Sequence, residues 1–156
     1  MAAIYQMHIS SPVGPLTLTA SEDALTGIAF GGAGDGGDAP SSALLTQTAR
    51  ELEEYFAGKR RTFTVPLAPA GTDFQRKVWA ALRDIPYGET VSYGDLARRI
   101  GKPGAAIAVG QANSRNPIPI IVPCHRVIGA DGKLVGYAGG LEIKKTLLRL
   151  EKVLVP

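Results

Sequence analysis

The amino-acid sequence predicts an α+β fold, with a small antiparallel sheet and one helix in the amino-terminal part and a mostly helical carboxyl-terminal part that contains a helix-turn-helix. Short alternating stretches separated by turn residues occupy residues 5–28 and favour strands. Apolar residues recur at helical spacing in residues 43–56 and 73–83. Two shorter helical patterns flank a glycine-containing turn at residues 101–104.

The amino-terminal sheet is predicted from alternation and from turns. The run Leu16-Thr17-Leu18-Thr19 alternates apolar and polar residues, as a half-buried strand does. Turn-forming stretches lie on both sides of it, at residues 11–15 and 21–23. From residue 43 to residue 56 the apolar side chains follow helical spacing, and Gly58 ends the pattern. We therefore expect a small antiparallel sheet closed by one amphipathic helix.

A domain boundary is predicted near the middle of the chain. The stretch from Pro66 to Gly71 has no periodicity and is rich in turn formers, so we expect a linker there, between domains 1–71 and 72–156. The first part has four basic and seven acidic residues, a net charge of −3, whereas the second has 13 basic and seven acidic residues, a net charge of +6. The carboxyl-terminal part is therefore the better candidate to bind a polyanion.

The carboxyl-terminal part begins with a predicted helix over residues 73–83. Ser92 is suited to cap a second helix that runs through Ile100, and residues 105–113 form a third helix after the turn at 101–104. The last two helices and their turn are typical of a helix-turn-helix, which in a basic domain favours DNA binding.

Composition excludes several functional classes. The chain has 156 residues, 45% of them hydrophobic, but no apolar run long enough to cross a bilayer, so no membrane partner is expected. The first residues show no secretory signal pattern, which predicts a cytoplasmic protein. One cysteine and two histidines predict no disulfide, no metal site and no cofactor. Residues 32–37 fit a dinucleotide-binding glycine pattern, but residues 38–41 separate it from the next helix, so we expect no phosphate site there.

The residues that most suggest chemistry surround the single cysteine, Cys124. Residues 116–123 are rich in prolines and β-branched residues, which predict a stiff, extended segment that fixes the sulfur. His125 and Arg126 favour the thiolate over the thiol. Neighbouring side chains on an extended chain point to opposite sides, so a bridging water or a turn is needed to connect His125 with the thiol. The alternative is a buried, inert cysteine.

The run Pro123-Cys124-His125-Arg126-Val127, preceded by Asn116-Pro117, resembles the active-site signature of the O6-alkylguanine-DNA alkyltransferases. Residues 85–93, 105–113 and 136–140 also resemble that family in the same order and spacing. The resemblance implies a ribonuclease H-like amino-terminal domain, a monomer without cofactor, and double-stranded DNA containing O6-alkylguanine as the partner. It also implies direct DNA repair by irreversible transfer of one alkyl group to the cysteine, with O4-alkylthymine as a second candidate substrate.

The same resemblance implies catalytic roles for five residues. Cys124 matches the alkyl acceptor, and His125 matches the base that removes the thiol proton through a water molecule. Glu151 matches the carboxylate that holds the imidazole, and Asn116 matches the residue that ties the helix-turn-helix to the active-site segment. Tyr93 matches the tyrosine that pushes on the target phosphate, favours extrusion of the base and protonates the leaving guanine.

Two further groups of residues follow from the resemblance. The guanine pocket is expected to use the carbonyls of Cys124 and Val127 and to be lined by Pro119, Asn113, Tyr137, Ala138 and Gly139. The minor groove of the duplex is expected to contact Ser92, Tyr93, Ala105, Ala106, Ile107, Gln111 and Arg115. Ile107 stands where the family usually has an arginine that replaces the extruded base, so weakened DNA binding is expected. Lys144 matches a lysine near the active-site loop, or is an exposed helix cation.

Three alternatives stay open at this point. A lesion-binding protein without efficient repair is marked by replacement of the acceptor cysteine, which is present here. A transcriptional regulator that senses alkylation needs base-specific side chains, and its recognition helix offers few besides Gln111. A cysteine hydrolase needs an oxyanion site, which no sequence pattern indicates.

Overall fold

The computed structural model describes residues 4–31, 42–137 and 139–154. The chain divides into two compact units, Met1–Ala70 and Gly71–Pro156. The glycine pattern at residues 32–37 and the expected pocket residue Ala138 lie outside the described residues.

A three-stranded antiparallel sheet is the centre of the first unit. In chain order its strands are β1 (Tyr5–Ile9), β2 (Leu16–Ala20) and β3 (Leu25–Phe30), and β2 lies in the middle. Along β2, Leu16 and Leu18 are buried whereas Thr17 and Thr19 are half-buried, because successive side chains of a strand point to opposite faces. The predicted sheet is confirmed.

One helix, α1 (Ala43–Phe56), packs on this sheet. It begins after Ser42, whose hydroxyl accepts a hydrogen bond from the Leu45 N–H and so satisfies one of the free donors at the helix start. Leu45, Leu52 and Tyr55 form its buried face. The helix has the bounds that the sequence pattern predicts.

The segment predicted as a linker begins with residues that form hydrogen bonds to the sheet. The Leu25 N–H donates to the Pro66 carbonyl at 2.8 Å, and the Ala68 N–H donates to the Leu25 carbonyl at 2.9 Å. Residues 66–68 therefore run beside the start of β3. Proline lacks an N–H donor but keeps its carbonyl, so a segment that contains proline still pairs with a sheet edge. The first three residues of the predicted linker are thus attached to the sheet of the first unit.

The second unit is mostly helical. In chain order it contains α2 (Asp73–Leu82), β4 (Val91–Ser92), α3 (Tyr93–Arg99), α4 (Ala106–Ser114), β5 (Val127–Ile128) and α5 (Leu141–Leu150). The two short strands β4 and β5 pair in parallel. Trp79 Nε1 donates to the Ala112 carbonyl at 2.8 Å and so joins α2 to α4. Ser92 caps α3 by accepting a hydrogen bond from the Asp95 N–H, as its position in the sequence predicts.

Candidate active site

The segment before Cys124 is a folded loop, and the prediction of an extended strand is wrong. Asn116 Oδ1 accepts from the Ile118 N–H at 3.0 Å, and Asn116 Nδ2 donates to the Val122 carbonyl at 2.8 Å. The Val122 N–H also donates to the Ile118 carbonyl at 3.0 Å, and Ile120 has a φ of 76°. One buried asparagine thus bonds to both ends of a tight turn, and these bonds outweigh the local preference of β-branched residues for extended backbone.

Cys124 begins a short 3-10 turn that spans Cys124–Arg126. The Arg126 N–H donates to the Pro123 carbonyl at 3.0 Å, and the Val127 N–H donates to the Cys124 carbonyl. The turn places cysteine and histidine on a compact piece of backbone between the loop and β5. Cys124 is 4% exposed and His125 is fully buried, so both reactive groups are shielded from solvent.

The environment of Cys124 favours the thiol in the resting protein. Burial raises the pKa of Cys124, because a thiolate would lose its hydration. Hydrogen bonds from Asn116 and Tyr137 and the charge of Lys144 oppose this effect only in part. His125 and Arg126, which the sequence analysis expects to favour the thiolate, therefore do not make it the resting form. A base must take the proton before the sulfur can attack.

His125 is placed to be that base. Its Nε2–H donates to Glu151 Oε2 at 2.7 Å. Burial lowers the pKa of His125, although the Glu151 carboxylate acts in the opposite direction, so the imidazole is neutral at neutral pH. With the proton on Nε2, Nδ1 keeps its lone pair, and no described residue forms a hydrogen bond with it. Nδ1 is therefore able to accept a proton.

Glu151, directly after α5, is held by several donors besides His125. Arg126 Nε donates to Oε1 at 2.8 Å and Arg126 Nη2 donates to Oε2 at 3.0 Å. The Gly88 N–H donates to Oε1 at 3.1 Å, from a glycine with a φ of 81° that a larger residue would rarely adopt. Burial alone would raise the pKa of Glu151, but His125 and Arg126 hold it well below its usual range. The carboxylate is therefore ionised.

Sequence reasoning missed two of these contacts. The sequence analysis assigns Arg126 an effect on the thiol, whereas its guanidinium donates to Glu151 and, at 2.7 Å, to the Ile85 carbonyl. Gly88 gave no chemical signal at all, because it acts through its backbone N–H. The contact between residues 126 and 151 spans 25 positions, and no local pattern predicts a pairing at that distance.

Lys144 is fully buried, which excludes the interpretation as an exposed helix cation. Its Nζ donates to the carbonyls of Val127 at 2.7 Å, Val135 at 3.0 Å and Gly136 at 3.4 Å. These bonds fasten the loop between β5 and α5 to the strand that follows the 3-10 turn. Burial lowers the pKa of Lys144 to about 8, and the nearby Cys124 opposes that shift.

Tyr93 and Asn113 approach the same loop and the 3-10 turn from the helix-turn-helix. The Tyr93 hydroxyl donates to the Val135 carbonyl at 3.3 Å, and Asn113 Nδ2 donates to the Cys124 carbonyl at 3.4 Å. Burial raises the pKa of Tyr93, and a thiolate at Cys124 raises it further. A phenol that stays protonated beside a thiolate can still donate its proton to a leaving group.

The residues expected to form a guanine pocket differ in their existing hydrogen bonds and in their burial. The Val127 carbonyl accepts from Lys144, and a carbonyl oxygen has room for one more donor. The Cys124 carbonyl accepts from both the Val127 N–H and Asn113. Of the predicted lining residues that the structure describes, Pro119 is buried, whereas the partly exposed ones are Tyr137 and Gly139.

Three of the residues expected to meet DNA lie along one exposed side of α4 and its end, whereas Ser92 and Tyr93 are half-buried at the start of α3. Ile107 is 82% exposed, and Gln111 and Arg115 are also exposed. Ala105 and Ala106, at the start of the helix, are half-buried. Positions 107, 111 and 115 are successively four residues, or about one helical turn, apart, so their side chains lie on the same face. An exposed isoleucine between small and polar residues is an apolar projection on that face.

The part of the chain that the structure describes contains neither a metal-binding cluster nor a membrane-spanning helix. No group of three or more histidine, cysteine or acidic side chains lies close enough together to hold a metal ion within residues 4–31, 42–137 and 139–154. Among the same residues, no helix is both long and apolar enough to span a membrane.

Two family models match this chain and together cover nearly all of it. The model of the 6-O-methylguanine DNA methyltransferase ribonuclease-like domain matches residues 4–69, and the model of the 6-O-methylguanine DNA methyltransferase DNA binding domain matches residues 73–153. A methylated-DNA–protein-cysteine methyltransferase of Methanosarcina acetivorans is 51% identical over 153 residues, which cover 95% of this chain and 98% of the relative.

Solved structures give the same result. The crystal structure of the Mycobacterium tuberculosis O6-methylguanine methyltransferase is similar with a TM-score of 0.86 and 48% identity, and the match covers 96% of this chain and 93% of that one. A structure of the Mycobacterium tuberculosis protein in complex with DNA is similar with a TM-score of 0.86 and 51% identity, covering 94% and 92% of the two chains.

Proposed function

The chain belongs to the family of 6-O-methylguanine DNA methyltransferases, and from this membership we propose that the Cys124 sulfur accepts the alkyl group in its repair reaction. Its activity is that of a methylated-DNA–protein-cysteine methyltransferase, which removes alkyl groups from DNA. The observation that supports Cys124 most is the buried His125, whose Nε2 lies 2.7 Å from Glu151 Oε2 while its Nδ1 has no hydrogen-bond partner among the described residues.

The proposed reaction is a direct displacement at the alkyl carbon. The Cys124 thiol gives its proton through a water molecule to His125 Nδ1, and the resulting thiolate attacks the carbon on guanine O6. A sulfur–carbon bond forms while the carbon–O6 bond breaks. The leaving guanine takes a proton from the Tyr93 hydroxyl, and the proton on His125 afterwards restores the phenol. In sum, the thiol becomes a thioether and the damaged base becomes guanine.

We expect the base to leave the duplex before this reaction. Cys124 is 4% exposed, so its sulfur lies below the protein surface and cannot reach an atom inside a base stack. The small residues Ala105 and Ala106 at the start of α4 allow close approach to a minor groove. The chain binds DNA, and we propose that α4 enters the minor groove with Ile107 at its exposed front.

Each molecule is expected to act once. An alkyl thioether has no electrophilic carbonyl for water to attack, so the sulfur is not released by hydrolysis. The chain has one cysteine and therefore no second thiol to which the group could be passed on. A single free cysteine stays reduced in a reducing compartment, for which reason we also propose a cytoplasmic location.

The test of this proposal is an intact-mass measurement after incubation with duplex DNA that contains O6-methylguanine. We expect the mass of one methyl group to be added per molecule, and peptide mapping to place it on Cys124. The matched control is Cys124→Ala, which should stay unmodified while the DNA keeps its lesion. Addition of methyl groups beyond one per protein, or repair without a change in protein mass, would exclude the proposal.

Ile107→Arg is expected to strengthen DNA binding. A cation on the exposed face of α4 adds about one phosphate contact, so the slope of log affinity against log salt should become steeper by about one. The measurement is fluorescence anisotropy with a labelled duplex at several salt concentrations. Ile107→Gln, of similar length but uncharged, is the matched control and should keep the original slope. An equal slope for all three proteins would show that residue 107 does not meet the phosphate backbone.

A further inference from the structure

We propose that Arg126 is a positioning residue that fixes Glu151 with two hydrogen bonds and thereby keeps His125 neutral and ready to accept the Cys124 proton. This inference rests on the proposed function of Cys124 and His125. It gives a role to a buried charge that the displacement reaction does not itself use.

The geometry of the cluster supports this role. Arg126 contacts both oxygens of Glu151, through Nε at 2.8 Å and Nη2 at 3.0 Å, and its third nitrogen donates to the Ile85 carbonyl at 2.7 Å. The guanidinium carbon lies 5.8 Å from the centre of the Tyr87 ring. All three sides of a planar, rigid group are thus occupied, so the guanidinium has one orientation.

The important feature is that Glu151 Oε2 is shared. It accepts from His125 Nε2 at 2.7 Å and from Arg126 Nη2 at 3.0 Å. A carboxylate that faced His125 alone would favour a positive imidazolium strongly, because the pair would then carry no net charge in a buried place. With Arg126 bound to the same carboxylate, Glu151 already has a cation as its partner. A second positive charge, on His125, would therefore gain little further attraction from Glu151.

The other groups that face His125 act in the same direction as Arg126 or are neutral. Lys144, on α5, adds a positive charge that opposes protonation of the imidazole. Cys124 is a thiol at rest. The segment that precedes β4 contributes the Ile85 carbonyl and the Gly88 N–H, which contact Arg126 and Glu151. Glu151 is thus the anion that acts on the imidazole, and Arg126 is the cation bound to it.

The chemical consequence concerns one proton. An imidazolium carries hydrogen on both nitrogens, so Nδ1 could no longer receive the thiol proton. Loss of Arg126 should therefore make His125 a cation at mildly acidic and neutral pH and reduce the fraction of molecules that are ready to react. At higher pH the imidazole becomes neutral again and the rate should recover.

The experiment compares single-turnover alkyl transfer across pH for the wild-type chain, Arg126→Gln and Arg126→Lys. For Arg126→Gln we expect the acidic limb of the rate profile to move to higher pH by about one unit or more. Arg126→Lys keeps the charge but only one of the two bonds to the carboxylate, so an intermediate shift in the same direction is expected. A uniform loss of rate with no shift in either variant would overturn the proposal, since a purely structural role lowers the rate at every pH.

A second measurement does not depend on DNA or on alkyl transfer. The chain has two histidines, so NMR of histidine-labelled protein, with His8→Gln to assign the signals, follows His125 directly. We expect the titration of His125 to move to higher pH in Arg126→Gln. If circular dichroism shows that Arg126→Gln is unfolded, the same shift is measured in Arg126→Lys. An unchanged titration would overturn the inference. Wild-type transfer to Cys124 is scored separately, so failure of the proposed function is recognised independently.

Discussion

Replacing His125 with glutamine should lower the rate of alkyl transfer by about 10²- to 10⁴-fold, the usual contribution of a positioned general base. Burial raises the pKa of the Cys124 thiol, so without a base little thiolate forms at neutral pH. Glutamine can still bond to Glu151, which preserves much of the local structure, but it cannot take a proton. The measurement is single-turnover transfer from a duplex with one O6-methylguanine.

The pH dependence of the same variant separates loss of the base from loss of the fold. As pH rises, solvent removes the thiol proton without help, so the rate of His125→Gln should approach that of the wild-type chain. His8→Gln, which changes the histidine on β1 of the first unit, is the matched control and should leave the rate unchanged. A decrease of less than about threefold for His125→Gln would remove His125 from the proposed mechanism.

Asn116→Ala should destabilise the second unit by about 1 to 3 kcal/mol, because it leaves the buried Ile118 N–H without a partner and leaves the Val122 carbonyl with the Cys124 N–H as its donor. The Ile118 N–H loses its acceptor and the Val122 carbonyl loses the donor at 2.8 Å. The loop that these bonds close contains Ile120 at a φ of 76°, a conformation that costs free energy and persists only when its surroundings enforce it. Denaturant unfolding measures the loss of stability.

The matched control for this substitution is Asn113→Ala. That change removes one longer hydrogen bond, at 3.4 Å to the Cys124 carbonyl, so the loss of stability should be smaller. We also expect Asn116→Ala to slow alkyl transfer, since the loop leads directly into the 3-10 turn. Equal stability of Asn116→Ala and the wild-type chain would show that the loop is held by its prolines and packing alone.

The elements of the fold were predictable where periodicity was strong. Helix α1 has the predicted bounds because its apolar residues repeat over four turns between Ser42 and Gly58. The pairing of residues 66–68 with β3 was not predictable, because it depends on a partner at Leu25, far away in the sequence. A pattern read along the chain reports local preference and gives no information on which distant edge is free to pair.

The same distinction applies to the candidate site. Cys124 and His125 could be identified because they are adjacent, chemically distinctive and part of a recognisable motif. The folded shape of the loop depends on the two side-chain bonds of Asn116, which act against the propensities of its neighbours. Lys144 was ambiguous because a lysine in an amphipathic helix is usually exposed, and its three carbonyl partners lie in segments whose positions the sequence does not reveal.

The burial of Cys124 also bears on how long the protein stays usable. Peroxides and soluble electrophiles react with exposed thiolates, and oxidation beyond the sulfenic acid is not readily reversed. A thiol that is 4% exposed and protonated at rest reacts slowly with such agents. A protein whose only sulfhydryl acts a single time would be inactivated by one stray oxidation, so the features that make Cys124 depend on a base also preserve it until damaged DNA arrives.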